Sequence, residues 1–332
     1  MLSTFLRTLA FDSWMASIGE AVGQKCSDSW YSVDVERLNS PELASRFVKM
    51  NCDAETDSFL ANCEKLSNSL GLQLWHVLCI PILRIFYKQT CINALLNRGA
   101  MFLFSSAQLG CLLALSDKDA TSSSSCGLNR TVLDLGAGDG HICLSDKDAT
   151  SSSSSCGLNR TVLDLGAGDG HISLRYSHFF DRVLATEASA FMRYRLKEKG
   201  VTVIGMDEWQ ADTLHVDLIS CLNLLDRHPR PRTLLRQLRQ KCISSNCHLL
   251  VSVVLPWEQY VEYNDSGSTL AEETVSIFGE TFEDQLKNVI VQLFSPAGFQ
   301  VERFTRLPYL CEGDMRFTFY MLNSAVLLLK AV

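Results

Sequence analysis

The chain has 332 residues, 47% hydrophobic and 20% charged, with a formal net charge of −7. That length suffices for one large α/β domain with an appendage, and the composition is that of a globular protein rather than a disordered or fibrous one. The acidic balance argues against a nucleic-acid binder, and thirteen cysteines that never form two pairs at zinc-ligand spacing give no metal site.

Residues 1–28 read as a poorly ordered N-terminus. The first twenty, MLSTFLRTLAFDSWMASIGE, lack the unbroken apolar core of a signal peptide and carry Asp12 early. Residues 29–115 read as a helical region, with apolar residues at helical spacing over 60–70 and 72–96 and no β-rich interruption. Its most apolar run, 70–87, is broken by Gln73, His76, Pro81 and Arg84. No transmembrane segment is expected there, since a span needs about twenty cleaner residues; a buried or membrane-surface helix is. The scattered cysteines read as reduced thiols of an intracellular, cytoplasmic protein.

A segment is then written twice. Residues 115–142 read LSDKDATSSSSCGLNRTVLDLGAGDGHI, and residues 144–172 repeat this with one extra serine. Each copy holds a short apolar strand running into Asp-x-Gly-x-Gly-x-Gly, at 131–140 and 161–170. Only the second copy is followed by enough chain for a crossover helix, 171–180, before the next strand. A strand without a crossover cannot place a parallel neighbour, so the second copy is assigned to the sheet. Residues 116–160 become a serine-rich segment carrying a spare loop, and 161–332 the main α/β domain.

From there strands and helices alternate. Strands are expected at 162–165, 182–187, 201–204, 216–222 and 249–255, with two more at 300–305 and 317–329. Helices are expected at 189–199, with Ser189 as N-cap and Gly200 beyond its end, and at 282–294. The alternation implies a doubly wound, mainly parallel, Rossmann-like sheet. In such sheets ligands sit outside the carboxyl ends of the central strands. Gly166, Gly168 and Gly170 would let a ligand approach the backbone there. Glu187, ending the second strand, stands where an acidic residue accepts two ribose hydroxyls. A nicotinamide fingerprint would need glycine at 171, where His171 stands. Glycines alternating after Asp164 instead resemble motif I of S-adenosylmethionine-dependent methyltransferases.

More specific stretches follow: CLNLLDR at 221–227, VLP at 254–256 and FTRLPYLCEGDM at 304–315. With 164–170, Ala185-Thr186-Glu187 and Glu208-Trp209-Gln210, they resemble the DREV family (methyltransferase-like protein 9), from about Trp30 to the C-terminus. The resemblance implies a seven-stranded methyltransferase fold and S-adenosylmethionine as cofactor. The implied reaction is methylation of histidine at the N-pros (Nδ1) nitrogen in His-x-His protein substrates. It further implies that Asp164, Gly166, Gly168, Gly170, Glu187, Asn223 and Tyr309 bind the cofactor, and that residues 206–209 lie near the adenine. Asp226, Asn223 and Tyr320 would form the catalytic set, with Asp226 and Tyr320 lining the histidine pocket. Each has a plainer alternative: a capping carboxylate for Asp226, a loop amide for Asn223, core aromatics for Tyr309, Tyr320 and Trp209. Association with the endoplasmic reticulum or mitochondria is also implied. The chain departs from the family at Gly170-His171, where an acidic residue commonly follows the last glycine, and at its leader. The rival functions are a cofactor-binding scaffold spoiled by the insertion, or a methyltransferase for another acceptor.

Overall fold

The computed structural model describes residues 26–114, 160–261 and 270–332. The strands are β1 (Met101–Phe102), β2 (Thr161–Leu165), β3 (Arg182–Thr186), β4 (Thr202–Val203), β5 (Leu218–Leu222), β6 (His248–Leu255), β7 (Phe299–Glu312) and β8 (Phe319–Ala331). They form one sheet in the order β1-β7-β8-β6-β5-β2-β3-β4. β4, β3, β2, β5 and β6 run parallel to their neighbours; β8, β7 and β1 are added antiparallel. Seven of these strands are the expected Rossmann-like sheet, and the two-residue β1 is an eighth at its edge.

Alternation along the central strands feeds two cores. Leu163, Leu165, Ile219, Cys221, Leu249 and Val251 pack on one face, Val162, Leu218 and Leu250 on the other. A strand covered on both faces is apolar at nearly every position, which is why LISCL and HLLVSVVL read as near-continuous runs. β2 is the second copy. It pairs with β3 over its whole length, Thr161↔Arg182 to Leu165↔Thr186, and with β5 on its other side. The chain therefore winds outward from β2 through β3 to β4, then returns to β5. The first copy lies outside the described residues.

The helices are α1 (Pro41–Ser45), α2 (Ala54–Ser67), α3 (Leu70–Leu83), α4 (Gln89–Leu96), α5 (Ser106–Leu113), α6 (Ala190–Glu198), α7 (Pro231–Ser245) and α8 (Phe282–Val289). α6 starts as expected, with the Ser189 hydroxyl accepting from Met192 N at 3.3 Å.

Several expectations are corrected. The helical N-terminal region is interrupted by β1, whose Met101 and Phe102 pair with Cys311 and Leu310; two residues leave no alternation to read. The helical spacing over 72–96 falls on two helices, broken after Leu83. The crossover at 171–180 is only a 3₁₀ helix, Ser173–His178, because Ser173 is tied to the strand below and Tyr176 is buried. The last two strands are longer, one hairpin spanning Phe299–Glu312 and Phe319–Ala331 with a bulge between Val301 and Arg303. α8 continues into a π-turn at Ile290–Phe294. Cys26 and Cys52 are joined by a disulfide, against the all-reduced expectation: the two lie 26 positions apart, a separation that no spacing in the sequence announces.

Leu163 is fully buried, so Leu163→Ala should cost about 2–5 kcal/mol. Leu133→Ala, its counterpart in the first copy, should stay within about 0.5 kcal/mol. Urea denaturation of the two variants checks this, and a reversed order would put the first copy in the sheet.

Candidate active site

The strand order reverses between the parallel neighbours β2 and β5, and the crevice outside their carboxyl ends is where such a sheet receives ligands. Each strand there ends in a turn that leaves the sheet. After β2 the chain enters Gly166–Gly170, tied down by Gly166 N and Ala167 N donating to Thr186 O of β3 at 3.0 and 3.1 Å. Gly168 has φ +58°, and a side chain built on it would meet nothing within 4 Å, so its outer face opens on unfilled space. Gly170 is different: a Cβ there would sit 2.8 Å from Leu196 of α6. It lets helix and loop close together. Gly166 approaches Leu224 in the same way, at 3.0 Å, joining this loop to the one after β5.

Glu187, buried, closes the arrangement. Its Oε2 accepts from Gly168 N at 2.9 Å and its Oε1 from Ser189 N at 2.8 Å. A carboxylate offers about four acceptor sites, so the same two oxygens can serve the backbone and a diol. Asp164 lies deeper, within β2, where Ser173 Oγ donates to its Oδ2 at 2.6 Å. Burial pushes the Asp164 carboxyl up to about 6, with Ser173 and Ser220 opposing and Glu187 adding to the rise. It organises the loop from beneath rather than lining the opening.

After β5, Asn223 takes the left-handed conformation (φ 49°), which asparagine tolerates better than most residues. Its backbone N–H donates to Ser252 of β6, and Ser252 Oγ donates to its Oδ1 at 2.9 Å. The Asn223 Nδ2 is buried and makes no hydrogen bond. Three residues on, the buried Asp226 has its Oδ2 3.2 Å from Arg227 Nε, while its Oδ1 is buried without a partner. Burial raises the Asp226 carboxyl above its ordinary value, and the Arg227 guanidinium pulls it back. Tyr309 of β7 joins this group. Burial raises its hydroxyl well above the ordinary value; Cys311 and Asp226 add to the rise, and Arg227 opposes it, as does the nearby Asn223 side chain. The hydroxyl donates to the Met101 thioether of β1.

Tyr320 stands one step aside. It is the register partner of Cys311, on the side-chain face that Tyr309 shares, and its hydroxyl donates to Asp314 Oδ2 at 2.9 Å in the β7–β8 turn. Trp209 belongs to the core with Leu214 and Val216, while Met206 is exposed. The fold thus brings Gly168, Glu187, Asn223, Asp226 and Tyr309 to one end of the sheet. Sequence reasoning missed their holders: Arg227, Ser173, Ser220 and Ser252. The last two had a signal, being serines inside otherwise apolar strands.

A family model described as DREV methyltransferase matches residues 30–152 and 146–331. Among solved structures, a Methanosarcina mazei S-adenosylmethionine-dependent methyltransferase is similar at 13% identity and TM-score 0.35, covering 53% of this chain and 94% of its own. A Synechocystis magnesium protoporphyrin IX methyltransferase, solved with S-adenosylmethionine bound, is similar at 16% and 0.32, covering 51% and 69%. A TehB-like methyltransferase from Corynebacterium glutamicum follows at 12% and 0.32, covering 52% and 81%.

Two outcomes are expected. Gly168→Arg fills the opening and should abolish binding of S-adenosylhomocysteine by calorimetric titration, whereas Gly138→Arg should leave it intact; the opposite pattern would move the site to the first copy. Asp164 has a folded pKa above its unfolded one, so the folded state holds the proton more tightly and stability falls as pH rises from about 4 to about 6. Asp164→Asn removes that loss and should stabilise the cofactor-free protein by roughly 1–3 kcal/mol at neutral pH, and by less near pH 4.5. Parallel melting-temperature profiles for the two proteins across this range would contradict the assignment.

Proposed function

The chain belongs to the DREV methyltransferase family, and on that footing we propose that it methylates the N-pros (Nδ1) nitrogen of histidine in His-x-His protein sequences. The coarser activity is plain: it is an S-adenosylmethionine-dependent methyltransferase. The residues present fit that cofactor. Unfilled space lies over Gly168, a carboxylate stands at Glu187 for the ribose diol, and the orphaned Asn223 Nδ2 offers a buried donor for the amino-acid end. When bound, the cofactor supplies an electrophilic methyl group.

The observation that carries the acceptor is the buried, unpartnered Oδ1 of Asp226. Leaving a buried carboxylate oxygen without a donor costs free energy, and an imidazole N–H would satisfy it. Methylation at Nδ1 needs a lone pair there, hence a neutral ring with its proton on Nε2. With an ordinary pKa near 6.5, histidine is largely neutral at cellular pH. Asp226 accepting the Nε2–H would select that tautomer, aim Nδ1 outward and stabilise the charge that grows on the ring as the bond forms. Arg227 holds the other oxygen, so the carboxylate presents Oδ1 alone. Tyr309 closes one wall, and Tyr320, fixed to Asp314, borders the acceptor side. Alignment supplies much of the remaining acceleration. The acidic chain does not favour a nucleic-acid acceptor.

Asp226→Ala should reduce transfer to a His-x-His peptide by at least about a hundredfold while changing S-adenosylhomocysteine affinity little. The assay pairs His-x-His with Ala-x-Ala peptides and locates the methyl on the ring by mass spectrometry. Normal transfer by the variant would remove Asp226 from the tautomer role. Methyl on Nε2, or on neither peptide, would overturn the acceptor.

A further inference from the structure

α3 is inside out. Its buried positions are polar, Gln73 and His76, with Gln73 Nε2 donating to Leu66 O at 3.0 Å. Its outward positions are apolar: Leu74, Trp75, Leu78 and Ile82, followed in the next turn by Ile85 and Phe86, are each 55–75% exposed. Steps of three and four residues put them on one stripe. A monomer surface rarely leaves so much contiguous apolar area in water unless something covers it.

The charges around the stripe indicate what does. Residues 65–116 contain no Asp or Glu, although the chain carries 37 acidic residues and a net charge of −7. The same stretch has Lys65, Arg84, Lys88 and Arg98, the first three exposed. A second copy of the chain would set these basic residues against each other. A protein partner would be expected to make about one hydrogen bond per 100–200 Å², and this stripe offers only the Trp75 indole. No single helix among the described residues is long and apolar enough to cross a membrane, and α3, 14 residues or about 21 Å long, falls short of the hydrocarbon thickness. An apolar face with an interfacial tryptophan and a basic border suits a helix lying in the plane of a bilayer.

We infer that α3 and the turn after it form a docking surface for an anionic lipid bilayer, with the stripe entering the headgroup boundary and Lys65 and Arg84 meeting lipid phosphates. The surface is rigidly linked to the active-site end of the sheet. Tyr87 packs edge-on against Phe191 of α6 at 5.4 Å, and Arg195 of α6 donates to Ala94 O of α4 at 3.1 and 2.9 Å. α6 begins beside Glu187. Docking would therefore hold the site close to the membrane and favour acceptors displayed near it.

The test is co-sedimentation of the full chain with phosphatidylcholine vesicles, with and without about one-third phosphatidylserine. Wild type should bind the anionic vesicles at least about tenfold more tightly, with the preference shrinking as salt rises. Leu78→Glu combined with Ile82→Glu should cut binding at least about tenfold, and Lys65→Glu with Arg84→Glu should erase the preference for phosphatidylserine. All these side chains point outward, so unfolding temperatures and transfer to a short soluble peptide should stay at wild-type values. Absence of vesicle binding, or equal binding by the Leu78/Ile82 variant, overturns the inference. So does a rise in KM for a folded protein acceptor in that variant when the wild type binds no vesicles, which would make the face a protein-docking surface. Vesicle binding needs neither cofactor nor acceptor, so its outcome is independent of the histidine reading.

Discussion

The candidate site depends on one carboxylate holding two loops. Glu187 accepts from Gly168 N and Ser189 N within 3 Å of each, so the turn leaving β2 and the turn entering α6 cannot drift apart. Hydrogen bonds to an ionised acceptor are shorter and stronger than neutral ones, and this pair is shielded from water. The clamp exists because β2 and β3 are parallel neighbours with their carboxyl ends level. Gly170 then allows α6 to close on the loop, and Gly166 allows the Asn223–Asp226 turn to close from the other side. Remove the pairing of β2 with β3 and none of these approaches survives.

That requirement separates two nearly identical stretches of sequence. Thr161–Leu165 has a crossover and a partner strand; the first copy's strand and loop, 131–140, are followed by only three residues and another serine-rich run. The family matches reflect the same arrangement, since 30–152 takes in the first copy and 146–331 the second. Each copy thus continues the family pattern on one side only: the first with the helical region before it, the second with the sheet after it. The chain as written joins both, and β2 is the copy that has the rest of the sheet to pair with.

Much of this was legible in the residues. β2, β3, β5 and β6 are short apolar runs ended by turn residues, and Ser189 and Gly200 bracket α6 as local capping chemistry requires. What could not be read depends on distant partners. β1 exists because an edge of β7 accepts it. The crossover after β2 stays a 3₁₀ turn because Ser173 reaches back to Asp164. Asn223 was a candidate from the sequence, but its fixing by Ser252 is a contact 29 positions away. Trp209, placed by resemblance near the adenine, packs in the core. For α3 the apolar spacing was visible, while the direction it faces was not: periodicity locates a stripe without saying whether protein or something else covers it.

The central claim is that the second copy, clamped by Glu187, holds the cofactor. Hydrogen exchange with and without S-adenosylhomocysteine tests it most directly. Fragments of the two copies can be told apart, because Cys143 follows one and Ser173 the other. The account predicts added amide protection at 166–170 and 187–189, including the Gly168 and Ser189 amides, with none at 136–140. Protection of 136–140 without protection of 166–170 would contradict it.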